Sequence, residues 1–113
     1  MHELSICEGI LSIIEDQAKE QAFSRVRRVR LEVGPFSGVE IEALRFGFDV
    51  VTRSSVAEGA VLEIFEPPGA AWCMSCSQTV PLENRYDLCP VCGSHQLQVT
   101  GGTELRIRDL EVD

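Results

Sequence analysis

Cys73-Met74-Ser75-Cys76 and Cys89-Pro90-Val91-Cys92 form two C-x-x-C pairs with twelve residues between them. No other feature constrains this chain as tightly. Each pair offers two thiolates from one tight turn, and a hairpin between the pairs brings the four sulfurs together around a tetrahedral zinc ion. The predicted site is closed, with no position left for water or substrate, so its expected role is structural. Two competing readings stand beside it. A redox dithiol would use one C-x-x-C at a strand-to-helix turn, but here there are two pairs, and Pro90 lies inside the second. Iron also accepts four thiolates. His95 follows Cys92 closely enough to replace a thiolate or to support one from behind.

A chain of 113 residues is one domain, or one domain with a small appendage. Its 18 acidic and 10 basic side chains give a net charge of −8, which disfavours a large phosphate-binding surface and hence a nucleic-acid role. No segment is long and apolar enough to span a membrane. The start lacks a basic leader, and Glu3, Glu8 and Glu15 interrupt its apolar positions, so a cytoplasmic, unprocessed protein is expected. In a reducing compartment cysteines hold metal more often than they form disulfides.

Ile6, Cys7, Ile10, Leu11, Ile13, Ile14 and Ala18 recur at helical spacing, and Ser5 with Glu8 places a capping box ahead of that helix. Cys7 reads as a small buried hydrophobe on its apolar stripe. Val29, Leu31 and Val33 alternate as a strand. Ser37 and Glu40 repeat the capping spacing before a second helix reaching about Thr52, which Gly47 weakens. Residues 60–65 read as another strand. Glu66-Pro67-Pro68-Gly69 marks a boundary, and Leu97, Val99, Leu105, Ile107, Leu110 and Val112 return to strand alternation. The predicted fold is α+β: two helices packed on a small, roughly three-stranded sheet, with an inserted zinc-ribbon domain. Residues 1–69, completed by 96–113, form the main domain, and residues 70–95 the ribbon.

The tripeptide Met1-His2-Glu3 carries a second signal. A free amine, the amide and imidazole of His2 and the amide of Glu3 supply nitrogen ligands in a plane, which suits Ni(II) or Cu(II). All must be deprotonated or neutral, so affinity should fall with pH. The Glu3 side chain adds a nearby carboxylate. By itself His2 is more often a solvated terminal residue.

Met1-His2-Glu3-Leu4-Ser5 leads into the apolar helix, Gly34-Pro35-Phe36-Ser37 precedes Val39-Glu40, residues 55–60 read Ser-Val-Ala-Glu-Gly-Ala, and the two knuckles follow. In this the chain closely resembles the HypA/HybF family of hydrogenase-maturation nickel chaperones over essentially its whole length. The resemblance implies a protein that delivers Ni(II) to [NiFe]-hydrogenase, in some members also supporting urease, and that is not itself an enzyme. It implies nickel at His2, with the Met1 amine and the backbone at Glu3, and structural zinc at Cys73, Cys76, Cys89 and Cys92. The implied partners are a nickel-handling maturation GTPase and the hydrogenase large subunit, with a homodimer as a further candidate assembly. The alternative is a zinc-ribbon module for protein or nucleic-acid interaction without nickel transfer. Arg25, Arg27, Arg28 and Arg30 are its basic cluster, read either as a solvated strand face or as a dock for an acidic partner. Catalysis is a distant third, with two histidines and no nucleophile or phosphate-loop motif.

Overall fold

The computed structural model describes residues 2–113, and of His2 its backbone alone. Eight elements follow one another: α1 (His2–Gln21), β1 (Val26–Val33), α2 (Ile41–Val51), β2 (Val61–Phe65), β3 (Gly69–Cys73), β4 (Gln78–Leu82), β5 (Leu97–Gly101) and β6 (Leu105–Val112). They make two three-stranded sheets, ordered β2-β1-β6 and β4-β3-β5. The α+β expectation holds, with the ribbon strands lying between β2 and β6 in sequence. Leu97 and Val99, which share the alternation of 105–112, pair instead with β3 in the second sheet.

The chain divides into two compact units. The first comprises residues 1–31, 39–64 and 107–113. Its core is set by helical spacing: Cys7, Ile10 and Ile14 of α1 are buried, as are Leu44 and Phe48 of α2, with Val26, Val29 and Leu31 of β1. Fully burying each large aliphatic or aromatic side chain of this kind contributes about 1.5–3 kcal/mol. Ile13, on the apolar pattern by sequence, is 53 % exposed.

Two helix starts differ from the capping-box positions. α1 begins at His2, not after Ser5, so residues 2 and 3 lie within its first turn. The acidic Glu3 there favours the positive helix end. α2 starts at Ile41 with Glu40 as N-cap and no side-chain cap of its own. Gly47, a helix-weakening residue by propensity, lets α1 approach: a Cβ there would lie 3.1 Å from Cys7 Sγ and 3.7 Å from Glu3 O. Packing thus outweighs propensity. Cys7 Sγ in turn donates to Leu44 O at 3.3 Å.

The arginines of β1 are paired within the same unit. Arg28 binds Glu63, and Arg30 reaches Glu63 at 3.0 Å and Asp109 at 2.7 Å. Glu111 lies 3.6 Å from Arg30, and Arg25 and Arg27 face Asp113. Burial works against the Glu63 carboxylate, yet Arg28 and Arg30 hold it below the usual carboxylate range. Single exposed pairs contribute at most about 1 kcal/mol. What matters more for function is that this basic cluster is matched by carboxylates beside it.

The second unit comprises residues 32–38 and 65–106. β3 pairs antiparallel with β4, from Gly69 opposite Leu82 to Cys73 opposite Gln78, and with β5 through a bulge at Ala70/Ala71. Ala71, Cys73, Val80, Leu82 and Cys89 form its buried cluster, with Phe36, Leu97 and Val99 against it. The Phe36 ring lies over two glycines. A Cβ on Gly69 would come within 2.4 Å of it, and one on Gly102 within 2.8 Å. Arg85 lies over the ring, 5.9 Å from its centroid, and donates to Phe36 O at 3.2 Å. Among the described residues no helix is long and apolar enough to cross a membrane.

Candidate metal centre

The two knuckles are built alike. Ser77 N donates to Cys73 O at 2.8 Å, and Gly93 N donates to Cys89 O at 2.9 Å, each closing one turn over four residues. Both closing residues have positive φ, 53° at Ser77 and 75° at Gly93. Glycine takes that conformation freely; serine does so at a cost. Each turn aims its own amides inward: Cys76 N at Cys73 Sγ (3.5 Å), and Val91 N and Cys92 N at Cys89 Sγ (3.4 Å each).

The four sulfurs consequently converge, all within 4.8 Å of one another. Cys73 Sγ and Cys92 Sγ are 3.5 Å apart, and Cys76 Sγ and Cys89 Sγ 3.8 Å. Zinc–sulfur bonds of about 2.3 Å in a tetrahedron put sulfurs about 3.8 Å apart, so the donor set fits zinc closely. The pairing runs across the knuckles, as a closed site requires. Neither C-x-x-C stands alone as a dithiol at a strand-to-helix turn. His95 is exposed and outside the cluster.

Backbone amides also set the acidities. The Cys76 amide leads in pulling the Cys73 thiol down. At Cys89 burial opposes ionisation, and the Cys92 and Val91 amides overcome it, bringing the thiol to about 6. Gln78 favours the Cys76 thiolate, but the neighbouring sulfurs and burial outweigh it, leaving that thiol pushed up to about 12. Backbone amides thus favour anionic sulfur, the form that holds a cation, at Cys73 and Cys89.

With the fold and this geometry in hand, comparison with known proteins is decisive. The sequence profile of the family described as "Hydrogenase/urease nickel incorporation, metallochaperone, hypA" matches residues 1–112. The chain belongs to the HypA family. It is 61 % identical over 113 residues to the hydrogenase maturation factor HypA of Alkalilimnicola ehrlichii, and 58 % identical over 113 residues to that of Azotobacter vinelandii, covering all of both chains in each case. The solution structure of the nickel metallochaperone HypA from Helicobacter pylori superposes with a TM-score of 0.69 at 25 % identity, covering 97 % of this chain and 96 % of that one. A second HypA solution structure gives 0.72 at 26 % identity, with 99 % and 96 % covered.

Two supports of this metal centre carry no motif. Ser75 Oγ and Ser94 Oγ hydrogen-bond at 2.8 Å, and Ser75 Oγ lies 3.2 Å from Gln96 Oε1, tying one knuckle to the other. Gln78 Nε2 donates to Cys76 Sγ at 3.4 Å. Serine and glutamine are too common in turns for spacing to single them out. Of the expected nickel ligands, Met1 and the His2 imidazole lie outside the described residues. Glu3 is in the first turn of α1, its Oε2 accepting from Glu40 N at 3.2 Å.

Proposed function

We propose that this chain is a nickel metallochaperone that carries Ni(II) to [NiFe]-hydrogenase during its maturation, or to urease, and performs no catalysis of its own. The whole-length match to HypA maturation factors carries the reading. Nickel is the cargo, held by the Met1 amine, the amide and imidazole of His2 and the amide of Glu3. The first N–H groups of a helix have no intrahelical acceptor. Residues 2 and 3 occupy that position in α1, so their amides serve the metal without cost to the helix ladder. A terminal chelate can also be dismantled one ligand at a time, each step reversible by protonation, which suits handover.

Cys73, Cys76, Cys89 and Cys92 hold zinc as a structural staple for a small buried cluster. Four thiolates fill a tetrahedron and leave no open position, so exchange at the terminus and scaffolding at the ribbon are separate tasks. A nickel-handling GTPase and the hydrogenase large subunit are the partners this role requires. The protein acts in the cytoplasm.

Nickel titration by calorimetry with native mass spectrometry, on protein untagged at its N-terminus, tests the proposal. Wild type should bind one nickel beside one zinc, and His2→Ala should keep zinc and lose nickel. Zinc retained without specific nickel binding in wild type would leave an interaction ribbon as the better reading.

A further inference from the structure

The four cysteines are not equally protected. Cys73 and Cys89 are buried, Cys76 is half-buried and Cys92 is exposed. Its neighbours Val91 and Gly93 are exposed as well. A thiolate reacts with an oxidant according to its access and its charge, and hydrogen bonds from donors quieten it. Cys89 Sγ receives two amides, Cys76 Sγ the Gln78 amide and Cys92 Sγ the Ser94 amide, so exposure and not the lack of a donor sets Cys92 apart. The ribbon's one arginine, Arg85, is turned to Phe36, and Glu83 and Asp87 are its other charges.

A sulfur of the other knuckle stands directly beside Cys92. Cys73 Sγ lies 3.5 Å away and is itself buried, so it meets Cys92 before it meets solvent. An incoming oxidant reaches Cys92 first, and the resulting sulfur species faces Cys73.

We propose that Cys92 is the oxidation site of the ribbon, attacked by hydrogen peroxide or another hydroperoxide and resolved by Cys73 into a cross-knuckle disulfide with release of the bound metal. The Cys92 thiolate attacks one peroxide oxygen; the O–O bond breaks, hydroxide leaves and Cys92 becomes a sulfenic acid. The Cys73 thiolate then attacks that sulfur; the S–O bond breaks, the S–S bond forms and a second hydroxide leaves. Two electrons pass from the sulfur pair to the peroxide, and two hydroxides balance the two thiolates consumed. Only Cys76 and Cys89 remain as donors, too few for a closed tetrahedral site. The ribbon thereby becomes a peroxide-responsive element within the same chain that carries nickel. This rests on the zinc reading above, and it differs from a thioredoxin-like dithiol, whose disulfide forms within one knuckle.

Full-length protein of measured zinc content is treated with hydrogen peroxide. Zinc release is followed with a chromophoric chelator, and disulfides are mapped by mass spectrometry at early times. The expected result is one zinc released per chain, Cys73–Cys92 as the first disulfide, release slowed about tenfold or more in Cys92→Ser, and Cys7→Ser behaving as wild type. A first disulfide within either knuckle, or zinc held while Cys7 alone oxidises, overturns the inference and leaves the zinc reading standing. Protein isolated without zinc would instead remove that reading. Should Cys92→Ser fail to fold, the disulfide map of wild type decides alone.

Discussion

Glu3 Oε2 accepts a hydrogen bond from the backbone amide of Glu40, 3.2 Å away, so a carboxylate in the first turn of α1 serves the N-cap of α2. One negative charge thereby lies against the positive ends of two helices. Glu40 makes no side-chain cap of its own, which leaves that duty to a residue 37 positions earlier. Glu3→Gln should lower stability by about 1 kcal/mol, a typical capping and helix-dipole effect, while nickel stoichiometry stays at one. Thermal unfolding and nickel titration of the same variant check both halves.

Gly47→Ala puts a methyl 3.1 Å from Cys7 Sγ. Helix propensity alone would make this change stabilising by up to about 1 kcal/mol. The contact should reverse the sign. Removing the sulfur with Cys7→Ala should recover at least half of the loss, and a double-mutant cycle measured in urea should give a coupling of about 1 kcal/mol. Additive effects would show that the helices adjust without strain.

α1 closes at Ala22 with φ 57°, a left-handed residue that carries a side chain. Ala22→Gly should raise stability by about 0.5–1 kcal/mol, the reverse of the usual effect of glycine near a helix. Chemical denaturation curves of equal slope but later midpoint would confirm it.

Gly34 leaves no space for a side chain, since a Cβ would fall 2.1 Å from Gly102 O. Gly34→Ala should cost more than about 3 kcal/mol, beyond the range of an ordinary overpacked contact. Phe36→Ala should cost about 2–3 kcal/mol, less than a fully buried ring, by emptying the place beside Gly69 and Gly102. Faster zinc loss to a chelator would show that the damage reaches the knuckles.

Cys7 supplies a pH signature. Burial first, then the charges of Glu3 and Glu8, push its thiol up to about 11 from 9.0. The folded state thus favours the neutral thiol. Its contribution is complete below pH 9 and is lost as pH rises through 11. Stability of wild type relative to Cys7→Ser should decline across that window, and Cys7 should resist alkylation at pH 8 until the protein unfolds. A flat difference between the two proteins would contradict the shift.

The sequence was most legible where chemistry demands a fixed spacing. Four thiolates around one ion leave few arrangements, and the knuckles gave themselves away. The helical stripe of Cys7, Ile10 and Ile14 was equally plain, because a buried face repeats. Helix starts were misplaced by Ser5–Glu8 and Ser37–Glu40, since a capping spacing says nothing of a cap supplied from elsewhere in the chain, as Glu3 supplies Glu40. Alternation revealed Leu97 and Val99 as strand residues but not their sheet, because period two carries no information about partners. The arginines of β1 could not be told from a docking surface until Glu63, Asp109 and Glu111 were seen beside them.

β6 joins β1 across more than seventy residues of intervening chain, all of the ribbon among them. Contacts between distant segments are slow to form, whereas the ribbon's own pairings are short-range. The knuckles and the strands around them can therefore assemble without waiting for β6 to complete the first sheet. Sequence separation thus sets apart two kinds of closure in one chain: a local one that gathers the four sulfurs, and a distant one that joins the chain's last strand to its first.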